Sequence, residues 1–437
     1  MAAAHAPGTP AAELDETYRI VSRRLIPFLI VCYIMAYIDR SNIGIAKLGF
    51  MDTLGFSEAV YGLAGGLFYL GYSLFEVPSN LWMKRIGARL TIARIMFLWS
   101  LFSAMTAFML VPWHFYTLRF LLGVAEAGFF PGVLLYLSYW APAARRARMT
   151  AQFMAAMALA GIIANPLGGV IMTSMEGVAG LHGWQWLFLI EGLPGCALAV
   201  IAFFWLTNKP SEAKWLTDRQ KTLLAEDLER EAVVTGVQKH GRFVDAIKDP
   251  RFFSLAIMAA AMISGLAGLA LWIPTIIRES GIKDMVTVGL LSALPYVFGV
   301  VAQQMIARSS DRRQERRWHA AAPALFGALS WLCLPLAQGN VVLSVMAVCG
   351  IGIGMFGATG PFWSLPATYL KGTAAAGGIA IITTCGAAAG FVSPIIVGWL
   401  IDHTGSMASA QIYFGTLLAF GAILLVVLAG AKPRPAA

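Results

Sequence analysis

Residues Leu25–Ala46 read LIPFLIVCYIMAYIDRSNIGIA, and this stretch decides the architecture. Fourteen uncharged residues run from Leu25 to Ile38, then Asp39 and Arg40 stand side by side, and six more uncharged residues follow. As a helix rising about 1.5 Å per residue, the run covers about 33 Å, the depth of a bilayer's hydrocarbon. Two ionisable groups in its interior cost roughly 2.5–3.5 kcal/mol each on insertion scales, so they are expected to mark a pathway or a relay.

Eleven further runs of that kind follow. The first half of the chain adds Glu58–Trp82, Arg89–Val111, Trp113–Trp140, Arg148–Met172 and Gln185–Thr207. The second half has Phe252–Ile277, Met285–Ala307, His319–Ala337, Val341–Ser364, Ala374–Leu400 and Gln411–Ala431. Hydrocarbon offers no partner to a free backbone group, so each run is predicted to be a helix, and the fold class is an all-α membrane protein of twelve spans. The composition agrees: of 437 residues, 58% are hydrophobic and 13% charged, against about 25% charged in soluble domains. A soluble enzyme, a nucleic-acid-binding protein and a disordered scaffold are excluded.

The net charge of +9 has a place in this topology. If both termini lie on one side, the segments on that side hold 26 of the 32 Lys and Arg residues, and the opposite side only Lys47, Arg278 and Lys283. Such asymmetry orients a membrane protein with its basic side in the cytoplasm. The expected organisation is a cytoplasmic tail over 1–24, a six-helix bundle over 25–207, a cytoplasmic linker over 208–251, a second bundle over 252–431 and a short tail over 432–437, in a bacterial inner (plasma) membrane. Met1–Ala12 is Ala/Pro-rich and reads as disordered. In the linker, Trp215, Leu216, Leu223, Leu224 and Leu228 alternate with charges, as in an amphipathic helix resting on the membrane surface. The positive balance therefore meets lipid headgroups. The five cysteines are widely spaced within apolar runs, and the histidines fall at the terminus, in loops or at segment ends. Neither metal nor cofactor is expected, and no catalytic grouping.

The halves look duplicated. Span one begins at Leu25 and span seven at Phe252, an offset of 227, and the same offset carries Arg85 of one basic loop onto Arg312 of another. Duplicated bundles of this kind place a transport site between them. Five stretches carry a family likeness: Tyr37–Gly44 (YIDRSNIG), Phe75–Leu81 (FEVPSNL), Arg119–Gly128 (RFLLGVAEAG), Gly183–Gly192 (GWQWLFLIEG) and Gly360–Pro366 (GPFWSLP). With these the chain resembles the major facilitator superfamily, and more narrowly its anion:cation symporter branch, which includes permeases for tartrate, phthalate, hydroxyphenylacetate and sugar acids. The resemblance implies proton-coupled import of an organic carboxylate by alternating access, with a monomer as the working unit and sodium as the other candidate ion. It implies a gating role for Arg85, Asp311 and Arg312. Lys84 replaces the family's usual Asp in the first copy of that loop, so the second copy is expected to carry the gating ion pair. It also makes Tyr72 a substrate contact and places Thr383 where the branch often has Asn.

The intramembrane charges give the expected mechanism. Arg119 and Glu126 are seven apart and share one face of span four, while Arg40 and Arg119 each lie six residues from the outer end of their spans. Two guanidinium groups at one depth suit a carboxylate, which Arg grips with paired hydrogen bonds. Asp39 and Glu126 are the proton-coupling candidates: protonation frees an Arg for substrate, and the halves then rock. Tyr37, with Tyr33 and Arg40, follows an i, i+4, i+7 spacing, and Asn165, Trp363, Ser364 and Thr383 are expected as further pocket walls at midplane depth. Glu76 is expected to brace the inner gate, Arg94 to snorkel, and Glu191 to hold a neighbouring helix. Two rivals remain: a drug or metabolite efflux antiporter on the same fold, for which span five offers a near-match at Gly161–Gly169, and a membrane sensor.

Overall fold

The computed structural model describes residues 10–235, 250–366 and 373–429. The terminal tails before Pro10 and after Ala429, and residues 236–249 of the linker, lie outside the described residues. Among the described residues every regular element is a helix. We number these α1 Pro10–Leu54, α2 Glu58–Ile86, α3 Ala88–Met105, α4 Pro112–Glu126, α5 Phe129–Ser138, α6 Ala143–Ser174 and α7 Gly183–Trp205. After α8 Asp218–Thr235 come α9 Pro250–Glu279, α10 Met285–Arg313, α11 Arg317–Cys333, α12 Val341–Ser364, α13 Thr373–Thr404 and α14 Met407–Ala429. Counting α4 and α5 as one broken rod, eleven are long and apolar enough to cross a membrane. The twelfth, α2, is long enough but more polar, with Tyr, Gly, Ser and Glu along a face that meets other helices.

Three boundaries differ from expectation. The first helix starts at Pro10, so residues 10–24 are its leading turns and not a tail. Hydropathy cannot report these turns, because they stand clear of the apolar run and are held by ion pairs: Glu13 with Arg219 at 3.3 Å and Asp15 with Arg145 at 2.5 Å. Tyr18 also donates to Asp227 of α8 at 2.8 Å. The fourth span breaks at Ala127–Gly128, where Gly128 takes a left-handed φ of 86° and a Cβ would strike Ser79 of α2. The linker helix α8 forms, but its apolar face covers protein. Leu216 and Leu224 are buried in the first bundle's core with Val21 and Trp140, and Trp215 stacks on Trp140 at 5.4 Å.

Two seams join the halves, α2 on α13 and α6 on α10, with α1 on α9 between them. Backbone-to-backbone approach sets the seams. Gly62 faces the Pro394 carbonyl and Gly398 that of Glu58, while Gly169 and Gly289 face Met285 and Asn165. Asp402 of α13 caps the N-terminus of α2, accepting from Glu58 and Ala59 N–H at 3.0 and 2.8 Å, which satisfies donors that the helix itself leaves free. All of this lies at the end of the molecule away from the Lys84–Arg89 loop. Toward the basic face the glycine contacts across the seams run no farther than Tyr69 on Gly390 and Tyr296 on Gly161. Beyond them Phe75, Val77, Leu81 and Thr383 are exposed. The halves close on the outer side and part on the basic side.

Candidate functional site

In the outer third of α1, Arg40 donates from Nη2 to Glu126 Oε1 at the last residue of α4, forming an ion pair whose acid is nearly buried. Its guanidinium also lies over the rings of Phe68 at 5.2 Å and Tyr72 at 5.4 Å. Arg119, 3% exposed, lies over the same Phe68 ring at 4.9 Å. One ring shared by both cations keeps their guanidinium carbons within about 10 Å of each other. Phe68 is in reach because Gly123 of α4 has no side chain and the Phe68 carbonyl approaches that spot. The break after Glu126 leaves its carboxylate at a helix C-terminus, where free carbonyls oppose negative charge; Arg40 supplies the offset.

Asp39 takes another direction. One helical residue turns about 100°, so Asp39 faces α3 and α7 while Arg40 faces α2 and α4. Asp39 is 1% exposed and accepts from Ser103 Oγ at 2.6 Å. Glu126, and not Asp39, is the carboxylate paired with an arginine.

The other expected residues divide. Tyr37 meets Tyr296 of the second half near Arg40, and Tyr72 is the second aromatic face under Arg40. Tyr33 is buried and packs among Phe129, Phe130 and Phe153. Asn165 is buried in the α6–α10 seam, where its carbonyl meets Gly289. Trp363 and Ser364 close α12, about 33 Å along the helix from its outer end; they sit near the basic face and not at the midplane. Thr383 is exposed on α13 and donates to the Ile379 and Ala380 carbonyls. Glu76 lies one turn beyond Tyr72, in a groove with Asn80, Lys84 and Pro131.

Among the described residues no ion pair joins the basic loops across the halves. Arg85 and Arg312 are exposed, and Asp311 pairs at 2.5 Å with Arg316 of its own loop. The expected gating pair is thus local, because the face it would close is parted. Beside it, Glu315 caps α11, accepting from Trp318 and His319 N–H at 2.8 and 3.2 Å. Partial burial pulls its pKa up, but those bonds and the His319 side chain outweigh it and hold the carboxyl below its ordinary range.

Sequence reasoning missed a cluster at the outer seam. Lys47, read as a loop cation, is buried inside α1 and pairs with Glu58 at 2.5 Å over the rings of Tyr61 and Trp272. Trp272 of the second half donates to Glu58 at 3.2 Å, and Tyr61 to the Leu271 carbonyl at 2.8 Å. Arg278 reaches across to the Leu48 carbonyl at 2.6 Å. Above them opens a vestibule of about 630 Å³ edged by Asp52, Glu279 and Lys283. The signal was present: Lys47 stands seven residues after Arg40, on the same helical face.

The geometry so far is two apolar bundles with charges buried on their facing surfaces. The sequence profile of the Major Facilitator Superfamily matches residues 29–394. The chain belongs to the major facilitator superfamily. It is 42% identical over 95% of its length, and 92% of the relative's, to a putative tartrate transporter of Agrobacterium vitis. It is 40% identical to a quinolone resistance transporter of Acinetobacter baumannii, over 94% of this chain and 95% of that one. Among solved structures, a D-xylose-proton symporter superposes with a TM-score of 0.72 at 16% identity, covering 94% and 98% of the two chains, which shows the shared fold. This superfamily member is a multi-pass membrane transporter.

Proposed function

We propose that the protein imports an organic carboxylate by proton symport with alternating access. The observation that carries the reading is the pair of guanidinium groups on one Phe68 ring, one of them bound to Glu126. Arg119 is the standing anion receptor and Arg40 the conditional one, held by Glu126 while that acid is ionised. A proton on Glu126 releases Arg40, and two forks at one depth then meet a carboxylate with parallel hydrogen bonds. Neutralised charge in low dielectric favours closure of the parted side. In this reading the basic face, with its Lys and Arg excess, is cytoplasmic, the parted side is the inward one, and the protein works as a monomer in the plasma membrane. The tartrate transporter among the relatives supports a hydroxy-dicarboxylate as cargo; protons are favoured over sodium as the coupled ion.

The test is uptake of labelled tartrate, sugar acids and aromatic acids into proteoliposomes, with an inward proton gradient and with a sodium gradient. Accumulation of one of these acids under the proton gradient alone is expected; no accumulation under either gradient refutes the reading. The second reading, efflux by antiport, is favoured by one observation, the 40% identity to a quinolone resistance transporter. Two close guanidinium groups repel a cationic cargo. Proton-driven extrusion of a quinolone by the same vesicles, without uptake of any acid, would select that reading.

A further inference from the structure

About 100° round α1 from Arg40, on the face turned to α3 and α7, the transport reading leaves a buried polar cluster unused. Asp39 and Asn42 of α1 meet Trp99, Ser100 and Ser103 of α3 and Glu191 of α7. All six are buried: Glu191 is 2% exposed, Asn42 2% and Ser100 0%. Trp99 is aimed at Asp39 and Asn42 at Glu191, yet no hydrogen bond of good geometry reaches Asp39 Oδ2, either oxygen of Glu191 or Ser100 Oγ. Gly195 explains the depth, since it lets α7 approach Ser100 at van der Waals range. Neither acid has an ion pair among the described residues. The charged side chains that act on Asp39 and Glu191 are Glu126 and each other, and the nearby thiol of Cys196 is neutral in its ordinary state. Arg40 is turned away and committed to Glu126.

Two carboxylates buried in one cluster without a paired cation do not both stay charged. An acid that holds a proton becomes a donor, and the cluster offers acceptors at the other acid and at Asn42. We propose that Asp39 and Glu191 form one proton-binding site, a carboxyl pair that shares a proton between α1, α3 and α7. It is a site separate from Glu126, and Glu191 is its unrecognised member. Asp39 and Arg40 are consecutive on one helix, so a proton held at Asp39 and the release of Arg40 by a protonated Glu126 act on the same turn of α1. The proposal rests on the transport reading only for the use to which the proton is put.

Its test needs no substrate. The full-length purified protein is treated with dicyclohexylcarbodiimide, which adds to protonated carboxyls in apolar surroundings, and the adduct is mapped by peptide mass spectrometry across a pH series. Infrared difference spectra, which need no reagent access, follow the carboxylic-acid carbonyl band in parallel. The expected result is an adduct on Glu191 that falls about tenfold per pH unit above its midpoint, an acid carbonyl band absent from Glu191→Gln, and a midpoint moved to lower pH in Asp39→Asn, where the like charge is gone. Glu191→Asp keeps the carboxyl and is expected to keep the band, which separates proton binding from misfolding. A band and an adduct yield that do not change between wild type and Glu191→Gln overturn the proposal, as does a Glu191 midpoint indifferent to Asp39→Asn. Protection by sodium chloride at constant pH overturns it too, in favour of a metal-cation site. Because the signal is proton binding, it stands or fails apart from any uptake assay.

Discussion

Replacing Gly62 by alanine should shift the balance between the two faces of the protein while leaving each half intact. Gly62 sits on α2 where the Pro394 carbonyl and Gly398 of α13 lie closest. The obstructing atoms are backbone, so no rotamer change relieves a new methyl group there. Overpacking of this kind costs about 1–3 kcal/mol, and the cost falls only on the form with a closed outer seam. At 1.4 kcal/mol per tenfold, the equilibrium moves about 5- to 150-fold toward an open outer side. Spin labels on Cys at Thr53 and Lys283, both exposed on the outer face and one on each half, should report a longer distance. The control is Gly123→Ala, whose methyl would meet the Phe68 carbonyl within the first half; it should lower Tm without moving the labels. An unchanged label distance in Gly62→Ala together with a drop in Tm would refute the assignment of these glycines to a moving seam.

Other consequences are open to measurement. Arg119→Lys loses the paired fork and the stack on Phe68, about 1.5–3 kcal/mol for a charged hydrogen-bonded contact, so the KM for the transported acid should rise about 10- to 150-fold while the folded protein remains. Glu126→Gln frees Arg40 permanently, and proton-driven accumulation should collapse in a vesicle uptake assay. Glu58→Gln strands Lys47 as a buried unpaired cation, at about 3–5 kcal/mol; Tm should fall, and Lys47→Met added to it should restore most of the loss. Glu315 is held below its ordinary pKa by bonds that exist only in the folded state. Its stabilisation is therefore complete above the pKa of an unfolded Glu and is lost as pH falls through the lower folded value. Glu315→Ala should cost about 0.5–2 kcal/mol as a lost helix cap at neutral pH, and the gap in Tm from wild type should close in acid.

How much of this was legible depended on how rare each signal is in an apolar chain. Arg40, Arg119 and Glu126 stood out because a bilayer tolerates few charges, and their spacing put them on facing surfaces. Which acid would claim which arginine was not legible: Asp39 and Glu126 are equal candidates until the 100° step between Asp39 and Arg40 is anchored to a helix orientation. Phe68 was invisible, since an aromatic in a hydrophobic run carries no mark, and its role arises from a close α2–α4 approach. Lys47 was misplaced because hydropathy ends a span at the first cation, whereas Glu58 and two aromatic rings bury this one. Trp363 and Ser364 were put too deep because a run of apolar residues fixes a helix's length better than its end.

The leading turns of α1 have a practical consequence. Glu13, Asp15 and Tyr18 tie the amino end to Arg219, Arg145 and Asp227, so α8 and the start of α6 are braced on a segment that hydropathy marks as dispensable. Trimming the polar leader back to Leu25, an obvious step when preparing such a protein for expression, would delete all three anchors at once.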